Sequence, residues 1–65
     1  MRLASMVIRA RKKAGLNPHQ LADASCLNSA TIYNIESGRQ PSVTRATAMK
    51  LAAVLDVTAA ELMGV

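Results

Sequence analysis

The apolar residues of this chain do not alternate with polar ones. They recur at intervals of three and four, in stretches punctuated by Gly15, Pro18, Gly38 and Pro41. That pattern argues against a sheet and specifies short helices. Isolated helices of roughly 8–12 residues are marginal in water, so their apolar stripes have to meet in one shared core. With 65 residues, 51% of them hydrophobic, the chain has material for one such core. The expectation is a single all-α domain over residues 1–65. No room is left for an inducer pocket, an autocleavage domain or a receiver, so control is expected to come from concentration, partner binding or degradation.

Other classes fall away quickly. Cys26 is the only cysteine and cannot form an internal disulfide, and no apolar run exceeds five residues, against the roughly 20 that a membrane span requires. The run from Leu3 to Ile8 is interrupted by Arg9 before it reaches the length of a signal peptide. A cytosolic protein is expected. Eight Lys/Arg against four Asp/Glu give a net charge of +4, and the pI near 10.0 directs attention to a nucleic-acid partner. Tyr33 is the only aromatic residue, so the stacking platform used by single-strand binders is missing and a duplex read by a helix is favoured.

Five helices can be placed from caps and spacing. Leu3, Val7, Ala10 and Ala14 form one stripe over residues 3–14, stopped by Gly15. Asn17-Pro18-His19-Gln20 reads as an N-cap, a proline at the first helical position and a reciprocating Gln, opening a helix from Pro18 to about Ser25. Asn28 caps a third helix of about nine residues, with Thr31, Ile32 and Ile35 inward and Gly38 at its end. After the polar connection Arg39-Gln40-Pro41-Ser42, Thr44 caps a fourth helix with Ala48, Leu51, Ala52 and Leu55 on one side, ending near Leu55. Thr58-Ala59-Ala60-Glu61 is a capping box that opens a short fifth helix. The expected core is Leu3, Val7, Leu16, Leu21, Ala22, Leu27, Ile32, Ile35, Leu51, Leu55, Val57 and Leu62.

Only Cys26 to Asn28 separate the second and third helices. So short a turn suits two helices crossing steeply, which projects the third outward. A helix about 10–12 Å wide fits the major groove of B-DNA. The outward residues Ser29, Ala30, Tyr33 and Asn34 are small or able to hydrogen-bond.

The chain carries the ordered words Gly15-Leu16, Leu21-Ala22, Leu27-Asn28, Thr31-Ile32 and Ile35-Glu36-Ser37-Gly38, followed more loosely by Pro41-Ser42, Lys50-Leu51-Ala52, Leu55, Val57 and Glu61-Leu62. In this run of short motifs it resembles the phage-repressor/Cro-type (XRE-like) helix-turn-helix domains. The resemblance implies a compact five-helix, lambda-repressor-like fold. It also implies a repressor-like transcriptional regulator, bacterial or phage-encoded, binding operator DNA as a homodimer with its third helix in the major groove.

Carried over residue by residue, base reading falls to Asn28, Ser29, Ala30, Tyr33 and Asn34. Asn34 leads, because its amide both donates and accepts and so matches the N6 and N7 edge of adenine. Tyr33 is open to two readings, a contact at the groove edge or a ring lying over the domain's own surface. Phosphate contacts are expected from Asn17, Ser37, Arg39 and Gln40, with Pro18 standing where the family often has a DNA-directed Gln. Arg11 and Glu36 occupy positions of an internal ion pair. Arg9, Lys12 and Lys13 either complement the first helix's dipole or steer DNA. A dimer patch is expected at Val57, Leu62, Met63 and Val65.

Two departures stand out. Cys26 replaces a common left-handed glycine in the turn, so either the turn differs or it is strained, and Asp56 replaces another glycine after the fourth helix. His19 with Cys26 supplies two ligands where zinc takes three or four from the protein, so no metal, cofactor or enzymatic activity is expected. His19 reads as an exposed first-turn residue and Cys26 as a small buried group. The competing reading is a protein-interaction module, an antitoxin or transcription adaptor with a protein partner on the same scaffold.

Overall fold

A computed structural model describes residues 2–64. Five helices follow in order: α1 (Arg2–Lys13), α2 (Pro18–Ala24), α3 (Ser29–Glu36), α4 (Arg45–Ala52) and α5 (Ala59–Met63), with no strand among the described residues. Each starts and stops for a local reason. α1 turns Leu3, Ala4, Val7 and Ala10 inward and collects Arg11, Lys12 and Lys13 in its last turn, against the negative end of its dipole. It closes at Gly15, whose φ of +75° lets the Leu16 N–H donate back to the Arg11 carbonyl at 3.1 Å and its own N–H to Lys12 at 3.0 Å. Ala14, at the end of the expected stripe, is exposed because the chain has already begun to turn there.

The caps of α2 and α5 are reciprocal boxes. Gln20 N–H donates to Asn17 Oδ1 and Asn17 N–H to Gln20 Oε1, both at 2.8 Å, while Thr58 and Glu61 exchange the equivalent pair at 3.0 Å. α3 opens with Thr31 N–H on Asn28 Oδ1 at 2.9 Å, and α4 with Thr47 N–H on Thr44 Oγ1 at 3.2 Å. α4 stops at Ala52, earlier than the stripe through Leu55 suggested. Val54 N–H switches to the Leu51 carbonyl three residues back, tightening the chain into a turn that still delivers Leu55 to the core.

α3 packs against α2 and α1, and α5 against α4 and α1, so α1 joins the helix pair α2–α3 to the pair α4–α5. At the centre Val7, Leu21, Ile32, Ile35 and Leu51 are wholly buried, and Ala48 with them. Leu16, Leu27 and Val57, expected inside, are only partly buried at the rim of the cluster. Val43 joins the core from the connection before α4, directly after the polar run Arg39–Ser42. Asp56 does not adopt the left-handed region; Cys26 is the one non-glycine residue described that does.

Candidate nucleic-acid interface

The turn between α2 and α3 is built on a strained residue. Ser25 ends α2 with its N–H on the Leu21 carbonyl at 3.0 Å and its buried hydroxyl donating to the same oxygen at 2.6 Å. Cys26 follows at φ 59°, Leu27 N–H reaches back to the Ala22 carbonyl at 2.9 Å, and the chain enters α3 through Asn28. The hydrogen bonds repeat those made around Gly15, with a side chain where α1 has none. A side chain in this region costs about 1 kcal/mol relative to glycine. The Cys26 thiol is exposed, not buried as expected, because the left-handed turn sends it outward and leaves Ser25 as the buried small residue.

α3 is anchored on one side by Ile32 and Ile35 and open on the other. Ala30 and Tyr33 are exposed, Tyr33 by 49%, and Ser29 and Asn34 partly so. The Asn34 backbone carbonyl accepts from Gln40 N–H at 3.0 Å and Ser37 Oγ at 3.2 Å, while its side-chain amide has no partner among the described residues. It is left free to pair with a base edge. Asn28 and Asn17 are differently placed: Asn28 Oδ1 accepts from both the N–H and the Oγ1 of Thr31, and Asn17 Oδ1 is taken by Gln20, so each has only its amide donor to offer. Arg39 is exposed just beyond α3, with Ser37 exposed and Gln40 partly exposed beside it.

The height of α3 above the core is held from its far end. Arg11 Nε donates to Glu36 Oε2 at 2.7 Å, Nη2 to Oε1 at 3.1 Å, and Nη1 to the Leu16 carbonyl at 2.9 Å, with both charged side chains only 12% exposed. This fork joins the last turn of α1 to the last residue of α3 and braces the loop between α1 and α2. Every other Lys and Arg is exposed; Lys13 lies 3.4 Å from Asp56, but both side chains are largely in solvent and the pair contributes little.

A helix-turn-helix family model matches residues 7–62, nearly the whole chain. The chain belongs to the helix-turn-helix family. This is a DNA-binding regulatory family, not typically an enzymatic one. No curated protein and no solved structure shows a significant match. Within the helix-turn-helix frame, the residues expected at the interface divide in two. Ser29, Ala30, Tyr33, Asn34, Ser37, Arg39 and Gln40 lie along or just after α3, while Asn17 stands apart before α2. Of the expected dimer patch, Leu62 is 4% exposed and belongs to the core of its own chain, Val57 is partly buried, Met63 is 43% exposed, and Val65 lies outside the described residues.

One neighbour of this surface was not legible in the sequence. The His19 ring stands edge-on to Tyr33, centroids 5.8 Å apart and planes at 76°. The two residues lie on different helices, and no local spacing connects them. No group of three or more metal-ligating side chains occurs among the described residues, and no described helix is long and apolar enough to cross a membrane.

Proposed function

We propose that the chain is a sequence-specific, repressor-like transcriptional regulator that places α3 in the major groove of operator DNA. The observation that carries this is the two-sidedness of α3: Ile32 and Ile35 fix it to the core, and the unengaged Asn34 amide sits on the side facing solvent. Asn34 reads adenine, Ala30 touches a thymine methyl, and Ser29, Asn28 and Tyr33 complete the base-facing set. Arg39, Gln40, Ser37 and Asn17 hold the flanking phosphates.

The active form is a homodimer. One helix reads about 4–5 base pairs, too short a word to be found among the million or more competing sites of a genome, and two half-sites one duplex turn apart cure that. Of the described residues of the expected patch, Met63 and Val57 are available for the contact, and Val57 lines a groove between α1 and α5 with Met6, Arg9 and Glu61. The chain works in the cytoplasm of a bacterium or under a phage genome, with DNA as its partner.

Selection of bound duplexes from a random pool, repeated with Asn34→Ala, tests the reading. The expected result is a two-part consensus that loses an adenine preference of about 1–3 kcal/mol at one position per half-site in the variant. An unchanged consensus would remove Asn34 from base reading. Failure to recover any duplex would pass the chain to the protein-interaction reading, an antitoxin or adaptor.

A further inference from the structure

We infer that His19 is a phosphate contact of the DNA complex, held at the wall of the groove by Tyr33, and that it makes DNA binding proton-linked. The inference rests on the reading above, that α3 enters the groove.

A helix with its side chains is about 10–12 Å wide and the major groove about 12 Å, so α3 itself nearly fills the channel. Whatever stands directly beside its outer side chains meets the sugar-phosphate wall. Tyr33 is such a side chain, and the exposed His19 is the ring packed on it, 5.8 Å away across the α2–α3 boundary. The edge-on contact with Tyr33 limits how the exposed imidazole can turn. Both nitrogens of a protonated imidazole donate, and a charged donor to a phosphate oxygen makes a hydrogen bond roughly twice as strong as a neutral one. The anionic wall therefore favours the protonated ring.

The other titratable groups around the ring do not supply this charge. On α2 the sole charged residue is Asp23, one helical turn beyond His19 and exposed. On α3, the helix packed against α2, Tyr33 is the contact itself and Glu36 is engaged by Arg11 at the helix's far end. The exposed Cys26 thiol lies in the turn between the two helices, and the exposed guanidinium of Arg39 after α3. Among these groups, histidine is the side chain suited to gain a proton near neutrality when it meets a phosphate.

The sign follows from linkage. A proton held more tightly in the complex than in the free chain makes affinity rise as pH falls, and the gain saturates once the free ring is itself protonated. The experiment is a fluorescence-anisotropy titration of a random-sequence 30-base-pair duplex at low salt, between about pH 8 and pH 6, for the intact chain and for His19→Gln and Tyr33→Ala. Phosphate contacts are independent of sequence, so no operator is needed.

Wild type is expected to bind about tenfold more tightly at the acid end, and the midpoint of the imidazole C–H resonance, followed by NMR through the same pH range, to move upward on adding duplex. His19→Gln abolishes the slope, and Tyr33→Ala reduces it without removing the histidine. A wild-type affinity that ignores pH, a slope that survives His19→Gln, or an imidazole midpoint unmoved by DNA would overturn the inference while leaving DNA binding intact. Absence of binding at every pH would instead sink the reading on which it rests.

Discussion

Replacing Arg11 with methionine is a severe perturbation of the link between α1 and α3. The guanidinium makes three hydrogen bonds, two to Glu36 and one to the Leu16 carbonyl, at 12% side-chain exposure. Methionine keeps much of the stem but leaves the Glu36 carboxylate largely buried without its partner. Breaking a fully buried pair from one side costs roughly 3–5 kcal/mol, and the residual access to water brings this to about 3 kcal/mol here. A chain this short is stable by about 3–10 kcal/mol in total, so the loss is between a third and nearly all of it. The melting temperature should fall by about 12–24 °C, at roughly 4–8 °C per kcal/mol.

Urea unfolding followed by far-ultraviolet circular dichroism measures the loss directly. The control is the double variant Arg11→Met with Glu36→Leu, which removes the stranded charge along with its partner. The double variant should be more stable than Arg11→Met alone, giving a coupling of about 2 kcal/mol or more. Should Arg11→Met lose less than about 1 kcal/mol, or should the two substitutions simply add, the fork is a surface pair in effect and the reasoning fails.

Two further outcomes are expected. Cys26→Gly should raise stability by about 1 kcal/mol, because the thiol is exposed and φ 59° suits glycine; a loss measured in the same urea titration would mean that the cysteine side chain does something useful in the turn. Sedimentation at high micromolar concentration should find a dimer that Met63→Lys converts to monomer, and wild type found solely as monomer would defeat the proposed assembly.

The sequence carried most of the frame because helix ends are local events. Asn17, Asn28, Thr44 and Thr58 each cap the helix that follows them, and Gly15 stops α1. Depth was harder to read. Leu16, Leu27 and Val57 have the hydrophobicity of core residues, yet each sits where the chain leaves or enters a helix and only part of the side chain can be covered. Val43 lies in a connection and has no periodic partners to reveal it. The stripe through Leu55 overstates the extent of α4 because an i−3 bond at Val54 interrupts the regular helix while Leu55 stays buried. At the interface, the free Asn34 amide follows from its position on a known helix face, whereas the approach of His19 to Tyr33 depends on how α2 crosses α3. That crossing is a tertiary fact.

The core holds Ala10, Ala22 and Ala48 among its larger side chains, with Ala22 and Ala48 at 2% and 0% exposure. A larger side chain at such a point has no open space to enter, and overpacking costs about 1–3 kcal/mol per intrusion. Drift in the inward letters is thereby confined to shrinkage or exchange of like for like, while Ser29, Ala30 and Asn34 carry no such constraint. A lineage built on this frame can change the word it reads many times over without renegotiating how it folds.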